Sequence, residues 1–208
     1  MSRRRALLGI EEQVTPQLPV PIHHFPLDQA NGLNDIVGSG VLTPVSNRVT
    51  WNNTENKYVF SMPTASLIAA NITNLAWGVV NGQPLNNLSF CFDIKINSFM
   101  TPTNWGIQIF TSGNIELVLS QGASSGVWYF PIMQNLKYIA TWENGTLKVY
   151  FNGILIFNGI IGNANGVLNN QLNVGGSSSS SGGTFFMWNL KIFNKVLTDN
   201  EIDVLNNY

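Results

Sequence analysis

Leu136-Lys137-Tyr138-Ile139-Ala140-Thr141-Trp142-Glu143-Asn144-Gly145-Thr146-Leu147-Lys148-Val149-Tyr150-Phe151-Asn152-Gly153-Ile154-Leu155-Ile156-Phe157-Asn158-Gly159 is the stretch on which the reading of the fold turns. Leu136, Tyr138, Ala140 and Trp142 alternate with Lys137, Ile139, Thr141 and Glu143, and Leu147, Val149 and Phe151 keep the same period of two. Such alternation places one face of a strand in a core. Asn144-Gly145 and Asn152-Gly153 tolerate the positive φ angles of tight hairpin turns. Residues 136–159 therefore predict a three-stranded meander.

The pattern extends outward. From Leu88 to Ile96 every even position is apolar and the odd ones are mostly polar. Further strands are expected at 57–62, 105–110, 114–119, 127–130, 170–174 and 184–194. Short strands separated by turn residues imply two stacked antiparallel sheets. Gly175-Gly176 through Gly182-Gly183, with serines between, lack apolar area to bury and are expected to form an exposed, mobile loop. Thr198 and Glu201 have the spacing of a capping box, so a short C-terminal helix should dock through Ile202 and Leu205.

A chain of 208 residues with 44% hydrophobic content suits one large all-β domain with a tail. Charged residues make up only 10% and the net charge is -1, so the concentrated basic surface that nucleic acid requires is absent. No apolar run approaches the roughly 18 residues of a membrane span. Cys91 has no second cysteine to pair with, so packing must hold the sandwich, and a buried, inert thiol is expected.

Residues 1–22 differ from the rest. Arg3, Arg4 and Arg5 precede an apolar patch containing Leu7, Leu8 and Ile10, and Pro16, Pro19 and Pro21 follow. Prolines at that density fix φ and remove donors, which favours an extended arm over a helix. The apolar stretch from Ala6 to Ile10 is interrupted by Glu11-Glu12 and is shorter than a signal core of about 7–15 residues, so no export signal is expected. The division is an arm at 1–22 and a sandwich at 23–208.

Three ordered features carry a resemblance. His24-Phe25-Pro26-Leu27-Asp28 leads into Asn31-Gly32-Leu33-Asn34-Asp35 and Gly38-Ser39-Gly40; Gly145 to Gly153 forms a hairpin ending in an aromatic, Asn and Gly; Leu190 to Thr198, then Glu201-Ile202, closes the chain. The region from about His24 to Tyr208 resembles the laminin-G-like jelly-roll domains of the concanavalin A-like superfamily. The resemblance implies a two-sheet antiparallel jelly-roll sandwich with a short C-terminal helix. The family usually carries Gly-x-Ile-Asp before its closing strand, where this chain has Phe186-Met187-Trp188-Asn189. The acidic group that helps fix loops or calcium is missing, and neither metal nor cofactor is expected.

Some superfamily members are glucanases with a Glu-x-Asp-x-x-Glu strand. Glu201-Ile202-Asp203-Val204-Leu205-Asn206 ends instead in Asn, which transfers no proton at neutral pH, and it falls on the expected helix. A capping Glu and a solvated Asp are the simpler reading, and no catalytic residue is assigned. His23 and His24 lack a third histidine, so one ring inward and one outward at a strand start is expected rather than a metal site. Flat indole faces stack on sugar rings, which makes Trp105 and Trp128, each beside a loop, the nominated glycan contacts.

These readings favour a non-enzymatic structural or adhesive component of a large assembly, best matched by a phage virion assembled in the host cytoplasm. The arm, through Arg3–Arg5, Leu7, Leu8 and Ile10, would hold other virion proteins, with a host-surface glycan as a further partner. The alternative is a carbohydrate-binding module of a bacterial surface or secreted system. Deleting residues 1–22 should release the protein from its assembly while leaving the sandwich folded; full occupancy of the truncated protein would contradict the anchoring role.

Overall fold

The computed structural model describes residues 17–62, 68–73, 87–99, 104–109, 115–120, 127–129, 134–143, 146–160, 171–176 and 183–208. The first strands are β1 (His23–Phe25), β2 (Thr43–Pro44), β3 (Val49–Asn52), β4 (Lys57–Met62) and β5 (Ile68–Thr73). β6 (Asn87–Phe99), β7 (Asn104–Ile109), β8 (Ile115–Ser120) and β9 (Val127–Tyr129) follow. Next come β10 (Asn135–Glu143), β11 (Thr146–Phe151), β12 (Ile154–Ile160), β13 (Gln171–Gly176) and β14 (Gly183–Phe193), before helix α1 (Asp199–Asn206).

The strands form two sheets. The 8-stranded sheet runs β12-β11-β10-β6-β14-β4-β3, with β1 also paired to β14, and the 6-stranded sheet runs β2-β5-β13-β8-β7-β9. Every expected strand is present to within three residues at each end, the largest difference being β6, which runs on from Ile96 to Phe99, and the meander is β10-β11-β12. Its Asn152-Gly153 turn has φ of 48° and 80°, the left-handed pair that Asn-Gly supplies. Asn152 reinforces the turn by accepting the Lys137 N–H at 2.8 Å. The Asn144-Gly145 turn lies outside the described residues.

Among the described strands pairing is antiparallel except between β13 and β8. β13 sits between two neighbours of opposite direction, so it must be parallel to one of them. Gly175 and Gly176 belong to β13 and Gly183 to β14 rather than to a loop. They are placed in strands because Gly175 and Gly176 pair with β8, and Gly183 pairs with both β4 and β6. Residues 177–182 between them lie outside the described residues, as do residues 1–16 of the arm. At the arm's inner end, the Ile22 N–H donates to the Ile192 carbonyl at 2.8 Å and so extends the β1–β14 pairing.

The inner faces interlock as the alternation requires. Phe90, Phe92, Ile94, Ile96, Tyr138, Ala140 and Trp142 share one buried cluster with Leu172 and Val174 of the opposite sheet. Phe92 stacks on Tyr138 at 4.7 Å between ring centroids, and Phe60 on Phe185 at 5.0 Å. Offset aromatic pairs of this kind add about 0.5–1.5 kcal/mol beyond their buried area.

A second cluster lies on the outer face. Cys91, Ile139, Tyr150 and Phe193 are covered by Leu197, Ile202 and Leu205, which explains an apolar Ile139 on the otherwise polar side of β10. Helix α1 starts at a full capping box, with the Thr198 side chain accepting the Glu201 N–H and the Glu201 carboxylate accepting the Thr198 N–H. Glu201 also pairs with Lys195, and Asp203 is exposed. Ser89, fully buried, donates to the Lys195 carbonyl and accepts the Leu197 N–H, tying the link between β14 and α1 to β6.

Burial pushes the Cys91 thiol up to about 12, leaving it without a reactive thiolate at neutral pH. Thiol reagents should therefore label Cys91 only on unfolding, and rapid labelling of the native protein would contradict this burial. Thr198→Ala removes the cap and should cost about 1 kcal/mol in denaturant unfolding; an unchanged midpoint would show that α1 docks without it.

Candidate functional site

Open space on the outer face of the larger sheet begins where α1 ends. β1 brings His24 there, and the chain then turns through Leu27, whose φ of 55° is left-handed although it is not a glycine. Leu27 holds this conformation because its side chain is buried in the core, at 1% exposure. Asp28 anchors the following turn by accepting the Asn31 N–H at 2.8 Å and its amide at 3.0 Å. From the other side comes the turn between β3 and β4, where Asn52 accepts the N–H groups of Thr54 and Glu55, both at 2.9 Å. That turn ends in Asn56 at φ 55°.

β14 supplies the floor. Its pairing with β6 shifts register between Trp188 and Lys191, and within this bulge Asn189 takes φ 56°. The Asn189 N–H donates to the Pro26 carbonyl at 2.9 Å. Its side chain bridges two strands: Asn189 Oδ1 lies 2.9 Å from His24 Nε2, and Asn189 Nδ2 donates to Asp93 Oδ2 at 3.1 Å. Lys137 approaches the other Asp93 oxygen at 3.9 Å and donates to the Leu205 carbonyl at 2.8 Å. That second bond places a cation at the C-terminal turn of α1, where the helix has no basic residue of its own.

Around this bridge lies a cleft of about 490 Å³ lined by His24, Pro26, Leu27, Asp28, Asn56, Lys57, Asp93, Trp188, Asn189 and Tyr208. Its volume falls in the range of about 300–1,000 Å³ usual for small-ligand sites. The Lys57 ammonium sits 4.7 Å from the centre of the Trp188 ring. Burial lowers the His24 pKa below its ordinary value, assisted by Lys191 and opposed by the Asn189 bond and by Asp35 and Asp28. Burial raises the Asp93 pKa against Lys137, the Asn189 bond, Lys191 and Lys57. An uncharged His24 with its proton on Nε2 satisfies Asn189 Oδ1, and the chain of donors then runs from His24 to Asn189 to Asp93.

Behind the cleft, His23 points inward at 4% exposure, with Nδ1 2.5 Å from Asp35 Oδ2. The rings of His23 and His24 thus divide as the sequence predicts. Asp35 also accepts the N–H groups of His24 at 2.9 Å and Val37 at 3.0 Å. Burial alone would raise the Asp35 pKa, but the bonds from Gly38, His23, His24 and Val37 together hold it below the ordinary 3.8. Asp35 therefore contributes stability at pH values above that figure, and the contribution is lost as pH falls through its folded pKa. Among the described residues no three His, Cys, Asp or Glu side chains form a metal-binding group.

Of the residues nominated from sequence, Trp105 and Trp128 occupy directly opposed register positions on β7 and β9, at the edge of the smaller sheet. Their side chains lie outside the described residues, as do Arg3, Arg4, Arg5, Leu7, Leu8 and Ile10. The nominated tryptophans and the cleft belong to different sheets. Sequence reasoning passed over Trp188, Asn189 and Asp93 as site residues. A signal was present: apolar core positions step by two at Phe185 and Met187, then by three to Leu190, and that skip marks the bulge.

No family model matches the chain, and no curated protein does. Solved structures do. Domain 4 of AbnA, an extracellular arabinanase from Geobacillus stearothermophilus solved with arabinotriose, is 18% identical with a TM-score of 0.58, covering 89% of this chain and 98% of that one. The shared fold is a two-sheet β-sandwich. The botulinum neurotoxin serotype D ligand-binding domain, solved with N-acetylneuraminic acid, is 16% identical with a TM-score of 0.58 over 90% of this chain. A botulinum neurotoxin type C structure, described in terms of two ganglioside molecules, gives 16% and 0.60. This chain spans about half the length of those toxin chains, 50% in both. At these identities the likeness is one of fold.

Gly38 has no room for a side chain, since a Cβ there would lie 2.4 Å from Asp35 Oδ2 and 2.6 Å from His23 Nδ1. Gly38→Ala should therefore split the His23–Asp35 pair, cost about 1–3 kcal/mol and move acid unfolding to higher pH. A pH titration of stability that superimposes on the wild type would contradict this role.

Proposed function

We propose that the sandwich is a non-catalytic carbohydrate-binding module of a bacterial surface or secreted system. The observation that carries this reading is the fold match along nearly the whole of an arabinanase domain solved with a bound trisaccharide. The cleft adds chemistry that suits sugars. It sets carboxylate and amide groups, which bond to hydroxyls, beside the Tyr208 phenol, which offers an apolar face, and the Trp188 indole, whose ring carries the Lys57 ammonium.

The reading reverses the weight given to a virion component on sequence alone. That role depends on residues 1–16, outside the described residues, and none of the matched structures named above concerns a virion. The glycan reading draws on the sandwich itself. Against catalysis, Glu201 is occupied with the helix cap and Lys195, and Asp203 lies on the exposed side of α1.

Full-length protein on a glycan array should be retained by at least one carbohydrate and release no reducing sugar from it. Absence of retention on every glycan would overturn the binding role, and turnover abolished by Glu201→Gln would overturn its non-catalytic character.

A further inference from the structure

The geometry points to the cleft between Asp28, Asn56 and Trp188 as the seat of an uncharged oligosaccharide, a site distinct from the Trp105–Trp128 pair. This inference rests on the carbohydrate-binding reading and assigns both its location and its ligand class.

Backbone strain marks the place. Among the described residues six non-glycine positions have positive φ, and three of them, Leu27, Asn56 and Asn189, line this cleft. Left-handed conformations are uncommon at non-glycine residues, mildest at asparagine and costly at a residue such as leucine, and they gather where a fold holds groups for a ligand. Here they hold the chain on three sides. Leu27 turns the segment after β1, Asn56 turns the chain into β4, and Asn189 bulges β14. The result is a recess on a sheet face that regular strands would leave flat.

Charge selects the ligand class. Among the described residues Lys57 is the only lysine or arginine that lines the cleft, and its ammonium is committed to the Trp188 ring and to the Glu55 carbonyl at 3.4 Å. Lys137 lies behind Asp93 and donates to the end of α1. Two carboxylates, Asp28 and Asp93, share the lining, so a sugar carboxylate placed there would meet like charge with no free cation on the wall. Sugar hydroxyls, in contrast, donate well to carboxylate oxygens and exchange bonds with the Asn56 amide. Tyr208, 72% exposed, stands at the rim where a further ring of a chain would pass.

The test is calorimetry of the full chain against uncharged oligosaccharides, arabinotriose first, and against N-acetylneuraminic acid. The variants are Trp188→Ala, Asn56→Gly, Tyr208→Ala and Trp105→Ala, with a thermal melt of each. Asn56→Gly keeps the left-handed turn and Tyr208→Ala alters an exposed side chain, so both report on binding even where Trp188→Ala unfolds. Binding of an uncharged sugar that weakens about tenfold in the Asn56 and Tyr208 variants, but not in Trp105→Ala, is the expected result. Binding lost in Trp105→Ala and retained in the cleft variants would overturn the location while leaving the module a glycan binder. Binding of N-acetylneuraminic acid alone would overturn the ligand class. Binding of no carbohydrate would remove the inference together with the reading beneath it.

Discussion

The cleft on the outer face of the larger sheet hangs on Asn189 and the bulge at its place in β14. β14 pairs with β6, β4 and β1, so its register sets that of half the sheet. Before the bulge the core takes Phe185 and Met187; after it, Leu190 and Ile192. A strand that skips one position in this way must turn an extra residue out, and the extra residue is an asparagine that tolerates φ 56°. The amide so exposed links β1 to β6 through His24 and Asp93. An asparagine offers both a donor and an acceptor, and so joins a neutral imidazole to a carboxylate without adding charge.

The electrostatics of this face work in opposing directions. Asp35 is held below its ordinary pKa by converging N–H groups and a histidine, and it stabilises the fold above the acid range. Asp93 is raised by burial, so its ionisation costs stability as pH rises through its folded pKa, an effect that Lys137, Lys191 and Lys57 reduce. Asp93 thus stands beside the open cleft as a carboxylate whose charge is opposed by burial and supported by three lysines and the Asn189 amide.

Much of the fold was legible because its strands obey a simple period. Leu88 to Ile96 and Leu136 to Trp142 alternate cleanly, and the Thr198–Glu201 spacing located the helix. Ile139 broke the alternation and was explained only once α1 was seen to cover it. The site was harder to read because it is made by exceptions: positive φ at Leu27, Asn56 and Asn189, brought together from positions far apart in sequence. Leu27 looks like a core residue, and it is one. Local pattern shows that it is apolar, not that the backbone beneath it is turned.

The His24–Asn189–Asp93 bridge can be observed without any ligand. A long-range proton–nitrogen NMR spectrum of the histidine rings at neutral pH reads the tautomer directly. The account predicts that His24 is uncharged with its proton on Nε2, donating to Asn189. A bare Nε2, with the proton on Nδ1, would mean that Asn189 is turned the other way, with its amide donating to His24 and its oxygen set against the Asp93 carboxylate, and the donor chain from His24 through Asn189 to Asp93 would not exist.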